Sequence, residues 1–184
     1  MSPTYEVFDF SSEPNRLQKL FDEVLNLQWI TERSARREYF MSFVPRTYSY
    51  GNKHAGDVEY KSNGFSMEVA KLCAGLNFHQ QAKYNVCFLN RYDDHLQHLG
   101  WHADDFPGMD PEQPIGVFSL GAEREIWWKP KGDKGEVPKD QRQLLEHGSL
   151  FTMPAGFQDE YLHKIPKCDR ACGTRISLTF RSFK

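Results

Sequence analysis

Two helical segments followed by a long series of short strands predict an α+β fold. In that fold a two-sheet sandwich or jelly roll carries the N-terminal helices on one of its sheets. Three observations support this. Apolar residues recur at helical spacing only before about residue 80; short runs rich in β-branched and aromatic residues follow. Gly and Pro cluster between those runs, at Pro107, Gly108, Pro111, Pro114 and Gly121 and again at Pro130, Gly132, Gly135 and Pro138. A parallel α/β sheet would need helices between the later strands, and no such pattern is present.

The elements follow in order. A helix is expected over Glu13–Leu27, with Ser12 as N-cap, Pro14 in the first turn, and Leu17, Leu20, Phe21, Val24 and Leu27 on one face. A second helix is expected over Phe65–Leu76, with Met67, Val69, Ala70, Leu72 and Cys73 among its apolar positions. Strands are expected at Asn85–Asn90, Ile115–Leu120, Glu125–Trp128, Ser149–Met153 and Thr174–Phe180. The alternation of ISLTF at 176–180 implies a strand with one buried face. Lys129–Gln141 is polar and Gly/Pro-rich and reads as a loop.

A chain of 184 residues is expected to form one domain. By area scaling it can bury about 70% of its unfolded surface, enough for a core without staples. No apolar run approaches the ~18 residues of a membrane span. The opening MSPTYEVFDFSSEP lacks the basic start and apolar stretch of a secretory signal, so a cytoplasmic location is expected, or a nuclear one in a eukaryote. Net charge is −2, from 23 Lys plus Arg against 25 Asp plus Glu, which excludes a nucleic-acid-coating protein but not a local basic patch. Basic residues do gather at the C-terminus, where Lys164, Lys167, Arg170, Arg175, Arg181 and Lys184 face the single acid Asp169. Four cysteines at 73, 87, 168 and 172 are too few and irregular for a disulfide scaffold. They read as reduced core residues, with metal binding or oxidation the alternative for Cys168 and Cys172.

The histidines carry the chemistry. His95, His98 and His102 would form a zinc-binding face if helical, but Gly100 and the following Asp-Asp-Phe-Pro weaken a helix there. In an extended segment His102 and Asp104 point the same way and converge on one ion. His163 can supply a third ligand from a neighbouring strand. Two His and one carboxylate form the facial set suited to non-haem Fe(II), which keeps three positions open for a bidentate 2-keto acid and dioxygen. An Arg nearby, Arg175 or Arg181, would match the distal carboxylate of 2-oxoglutarate through a bidentate fork.

Taken together, Asn90-Arg91-Tyr92, His102-Ala103-Asp104-Asp105, SLGAERE at 119–125, HGSL at 147–150, His163 and RISLTFR at 175–181 resemble the AlkB family of iron- and 2-oxoglutarate-dependent dioxygenases, in order and in spacing. The likeness runs from about Phe43 to Phe183, and PR at 45–46 with Tyr48, Tyr50 and Gly51 is similar to that family's nucleotide-recognition segment. The resemblance implies a double-stranded β-helix (jelly-roll) core over about 81–184, after N-terminal helices and a recognition lid over about 1–80, all in one domain. It implies iron ligands His102, Asp104 and His163, and Arg175 on the distal carboxylate of 2-oxoglutarate. Asn90 and Tyr92 would hydrogen-bond the co-substrate, and Arg181 would lie beside it, ordering nearby carboxylates. Asp105 matches a base-contacting position, and Arg124 is expected in a structural ion pair.

The implied reaction is oxidative demethylation of N-alkylated bases, of the 1-methyladenine or 3-methylcytosine type, in DNA or RNA. Formaldehyde, succinate and CO2 are its products. The aromatic and basic mixture at 36–65 fits a lid that grips a strand and stacks a base, with Tyr60 as pocket wall and Arg46 as a polar contact. The acidic balance favours unpaired strands, and a monomer is expected. Two rival readings are the same oxygenase acting on a protein, lipid or small molecule, and a catalytically silent jelly-roll binding module. The latter needs neither the triad nor the arginines.

Overall fold

The computed structural model describes residues 2–31, 36–52, 56–106 and 108–184, and the side chains of residues 48–58 fall outside that description. The sequence readings at Tyr48, Tyr50 and Gly51 therefore lie outside the described side chains. In chain order the strands and helices are β1 (Thr4–Val7), α1 (Arg16–Leu25), β2 (Arg37–Ser42), β3 (Thr47–Asn52), β4 (Gly56–Lys61), α2 (Met67–Gln80), β5 (Val86–Tyr92), β6 (Leu99–His102), β7 (Ile115–Gly121), β8 (Arg124–Pro130), β9 (Arg142–Leu145), β10 (Ser149–Met153), α3 (Phe157–Glu160), β11 (Tyr161–Ile165) and β12 (Arg175–Arg181). Six strands form a major sheet in the order β1-β10-β7-β12-β5-β2; four form a minor sheet, β6-β11-β8-β9; β3 and β4 pair as a hairpin. Every pairing within these sheets is antiparallel, and the two larger sheets make the jelly roll that the strand pattern predicts.

The two longer helices, α1 and α2, serve the major sheet. Leu20 and Val24 of α1 and Val69, Leu72 and Leu76 of α2 pack with Leu89, Phe118, Leu120, Ile176, Leu178 and Phe180 in one core. Each such side chain contributes about 1.5–3 kcal/mol when fully buried. A second core, including Ile115, Ile126, Leu145, Phe151, Met153 and Ile165, fills the space between the sheets.

Four expectations are corrected here. Ser12 does not cap α1; residues 11–15 are turns, and Asn15 is the N-cap, so the helix starts three residues later than expected. The strand β12 is buried along its whole length, not on one face. It lies between β7 and β5, with Ile176, Leu178 and Phe180 under the helices and Arg175, Ser177, Thr179 and Arg181 on a cavity. Arg124 is buried and forms no ion pair among the described residues; it donates instead to the carbonyls of Asp94, Gln97 and Pro166. A guanidinium has five donors and no acceptor, so three loop carbonyls can replace one carboxylate. Lys129–Gln141 is not all loop: Lys129 and Pro130 belong to β8, and residues 139–141 form a 3-10 turn.

The turn before Arg175 has a strict requirement. Gly121 adopts φ +82°, and a Cβ there would lie 2.3 Å from the Thr174 carbonyl oxygen. Ala122 N–H donates to that same carbonyl at 2.9 Å, which fixes the chain one residue ahead of Arg175. Only glycine meets both demands. No helix among the described residues is long and apolar enough to cross a membrane.

Candidate active site

His102 ends β6, and His163 lies directly opposite on β11. Between them the register shifts, because Ile165 pairs with Leu99 across one extra β6 residue. Such a bulge re-aims side chains. It lets Leu99 join the core while His102 faces His163, with ring centroids 4.1 Å apart. Residues 94–96 are a bend, 93, 97 and 98 are irregular and His102 ends a strand, so His95, His98 and His102 form no helical face.

Asp104 follows in an irregular segment, held by its N–H to Gln158 Oε1 of α3 at 2.8 Å. Its carboxylate meets three groups: Arg181 Nη2 at 2.6 Å, and the Nε2 atoms of His102 and His163, each at 3.9 Å. The Nδ1–H of His102 donates to the Gly100 carbonyl at 2.8 Å, which fixes the tautomer and leaves Nε2 as an acceptor facing Asp104. The three ligand atoms lie within 4.8 Å of one another. At 3.9 Å the imidazoles do not hydrogen-bond the carboxylate, so the three donors share a gap rather than a bond.

The electrostatics suit a divalent cation. Burial alone would raise Asp104, but Arg181, then His163 and His102, hold it well below the usual carboxylate range. Burial, assisted by His102, pushes His163 down to about 3, and burial also lowers His102. One ionised carboxylate and two neutral imidazoles form a donor set ready for a metal, without a proton to displace. The residues present therefore fit iron(II).

The same cavity has a second polar end. Arg175 and Tyr92, cross-strand partners on β12 and β5, are almost wholly buried and line it beside Asn90, Ser177, Thr179 and Arg181. Arg175 Nη2 donates to Ser119 Oγ at 3.0 Å. Among the described residues, Arg175 Nε and Nη1 and the Tyr92 hydroxyl have no hydrogen-bond partner. Burial pulls the Arg175 guanidinium down to about 10. Buried orphan donors at a cavity wall need an acceptor, and a carboxylate supplies one for the guanidinium fork and the hydroxyl together.

The sequence reading set Arg36 only among the cations of the lid at 36–65, and it missed Glu38 and Gln158. Arg36 Nε donates to Asn90 Oδ1 at 2.6 Å, and Arg36 Nη2 meets Glu38 Oε1 at 2.6 Å. Glu38 is buried on the cavity wall and accepts from the Tyr60 hydroxyl at 2.5 Å. Gln158, which holds Asp104, lies on a four-residue helix with no motif to mark it. The available signal for Glu38 was its strand phase, which it shares with Phe40 on the side of buried apolar residues.

The structure brings His102, Asp104, His163, Asn90, Tyr92, Arg175 and Arg181 onto one cavity. It does not bring Tyr60 or Arg46 there. Tyr60 is buried behind the wall, edge-on to Phe88 at 5.2 Å, and touches the cavity through Glu38. Arg46 lies over Phe183 at 5.8 Å and donates to the Lys184 carbonyl at 2.9 Å. Asp105 is exposed and lines an adjoining cavity with Phe106 and Asp159, sharing Asp104 with the first. Cys73 and Cys87 are buried thiols pushed up by burial, Cys73 to about 12, and Cys168 and Cys172 belong to no metal-binding cluster among the described residues.

A family model described as the 2OG-Fe(II) oxygenase superfamily matches residues 10–181. Over 119 residues the chain is 37% identical to the DNA oxidative demethylase ALKBH2 of Arabidopsis thaliana, covering 54% of this chain and 38% of that protein. Over 102 residues it is 33% identical to the DNA oxidative demethylase ALKBH2 of Homo sapiens, covering 53% and 39%. It is 30% identical over 104 residues to alpha-ketoglutarate-dependent dioxygenase alkB homolog 3 of Mus musculus, covering 54% and 36%. The matched stretch thus spans about two-fifths of the length of these curated relatives. The structure of OsALKBH1 superposes with a TM-score of 0.64 over 99% of this chain and 98% of that one; at 16% identity this likeness concerns the fold. These names agree with the AlkB resemblance drawn from NRY, HADD and RISLTFR.

Proposed function

The chain belongs to the 2OG-Fe(II) oxygenase superfamily, and from that membership we propose that it demethylates N-alkylated bases of the 1-methyladenine or 3-methylcytosine type in single-stranded DNA or RNA. The observation that carries this reading is the His102–Asp104–His163 cluster sharing one cavity with the orphan donors of Arg175 and Tyr92. Iron(II) held by His102, Asp104 and His163 supplies, with 2-oxoglutarate and dioxygen, oxidation of the N-methyl carbon, which leaves as formaldehyde while the co-substrate leaves as succinate and CO2.

The chain's own residues do the rest. The Gly100 carbonyl orients the His102 ring, and Arg181 holds Asp104 ionised, so the ligand set is formed before anything binds. Arg175 takes the distal carboxylate of 2-oxoglutarate in its fork, and the Tyr92 hydroxyl adds a third donor. Asn90 has its Oδ1 occupied by Arg36, so its amide N–H2 is the end that serves the co-substrate. Burial of these groups keeps water from the reacting carbon and strengthens each charge contact. On the substrate side Asp105 contacts the base from the adjoining cavity. Tyr60 acts there by fixing Glu38, and Arg46 grips the strand outside the cavity. The enzyme works as a monomeric single domain over 1–184, in the cytoplasm or nucleus where its substrate is found.

Formaldehyde release from oligonucleotides carrying 1-methyladenine or 3-methylcytosine, single- and double-stranded, tests the proposal. Release is expected from both lesions, faster from single strands, where no unpairing cost arises. Turnover of 2-oxoglutarate with no formaldehyde from any strand would overturn the substrate class in favour of a protein, lipid or small molecule.

A further inference from the structure

The outer face of the minor sheet carries a ladder of alternating cations and indoles that the cavity chemistry does not use. Lys164 Nζ lies 4.8 Å from the Trp101 ring and 4.4 Å from the Trp127 ring. Lys129 Nζ lies 4.9 Å from Trp101, and the Arg142 guanidinium 4.2 Å from Trp127. The strands impose this order. Lys164 and Arg142 are both cross-strand partners of Trp127. His163 and Ile126, the chain neighbours of Lys164 and Trp127, point instead into the interior. The β6 bulge turns Trp101 outward beside the inward His102.

Three cations thus crowd on two rings at a face of a chain whose net charge is −2. Among the described residues none of the three forms a salt bridge with a carboxylate. The neighbouring acid Glu125 accepts the Trp127 indole N–H at 2.6 Å. Cation–π contact holds the ammonium groups in place without neutralising them. A repeating array of uncompensated cations is complementary to a repeating anion.

We propose that this face binds the sugar-phosphate backbone of the single strand flanking the methylated base, with Lys129, Lys164 and Arg142 on phosphates and the indoles as their platform. The inference rests on the demethylase reading for its choice of polyanion. Trp101 and Lys164 are the chain neighbours of His102 and His163, so strand held here lies on the far side of the two strands that carry the metal ligands.

Anisotropy of a labelled unmodified oligothymidylate measures this without turnover, so its result is separate from any failure of demethylation, which formaldehyde reads. The variant is Lys129→Gln/Lys164→Gln; Arg142 is spared because it also donates to the Val137 carbonyl. Loss of two phosphate contacts should lower the slope of log K against log salt by about 1.4 and raise Kd roughly 25-fold at 0.1 M salt. Lys129→Arg/Lys164→Arg, which keeps both charges, should bind as the parent does, and equal melting temperatures check folding. Unchanged Kd and slope in the Gln pair, or an Arg pair as weak as the Gln pair, would overturn the proposal. So would displacement of the strand by an oligoaspartate of equal charge as readily as by unlabelled strand, since that would indicate an acidic polypeptide.

Discussion

Arg181→Met isolates the link on which the metal centre depends. Arg181 Nη2 lies 2.6 Å from Asp104 Oδ1, and both side chains are almost fully buried. At an effective dielectric of ~20 the attraction at that separation is about 6 kcal/mol. Desolvation of both ions offsets much of it, so the pair itself contributes little net stability. Removing only the cation is different, because it leaves a buried carboxylate without its partner, at a cost of about 3–5 kcal/mol. Urea denaturation of the metal-free protein reads this directly. Asp104→Asn in the same background should restore a large part of the loss, since the orphaned charge goes with it. A divalent metal should also narrow the gap between variant and parent, because it neutralises the same carboxylate. A metal-free destabilisation below about 1 kcal/mol, or additive single and double variants, would refute the claim that Arg181 keeps Asp104 ionised.

Three further outcomes follow from the geometry. Arg175→Lys loses the fork that a carboxylate matches, so KM for 2-oxoglutarate should rise at least about tenfold while the melting temperature moves little; an unchanged KM would transfer the carboxylate to another cation. His163 sits at about 3 in the fold because of burial and His102, below the ~6.5 of an unfolded histidine. The unfolded chain therefore binds more protons between those values, and the metal-free protein should lose about 1.4 kcal/mol for each pH unit below 6.5 through this group. Denaturation midpoints at pH 7.5 and 5.5 read this, and His163→Gln should flatten the dependence; an equal slope in the variant would show that His163 charges freely. Tyr60→Phe leaves Glu38 Oε2 short of its donor, which should cost about 1–3 kcal/mol and slow demethylation of a strand more than turnover of 2-oxoglutarate; the reverse order would remove Tyr60 from the substrate side.

Local spacing was the readable part of this molecule. His102 and Asp104 sit two residues apart, so their spacing is visible in the sequence, although Asp104 lies past the end of β6 in irregular chain and is held there by Gln158. RISLTFR shows its alternation openly, but burial of its polar phase depends on the minor sheet covering it, which no window of residues reveals. His163 pairs with His102 through a register interrupted by a bulge at Gly100–Trp101, and spacing carries no trace of that. The residues alone could offer His163 only as a possible ligand from a neighbouring strand, and the resemblance to a family singled it out. Glu38 and Gln158 reach the site through β2 and a four-residue helix with no motif. The start of α1 was misplaced because Ser12 is as good an intrinsic cap as Asn15, and the turns at 11–15 decided between them. Arg124 was expected in an ion pair because its motif lies at a sheet turn; carbonyls of two loops, at Asp94 and Gln97 and at Pro166, took its donors.

The most direct measurement is a titration of the metal-free protein with Mn(II), followed by electron paramagnetic resonance with and without 2-oxoglutarate. One Mn(II) per chain is expected, with a spectrum that changes when 2-oxoglutarate is added and binding that is lost in Asp104→Ala and in His163→Ala. Stoichiometric binding that survives either substitution would contradict the assignment of His102, Asp104 and His163 as the metal centre.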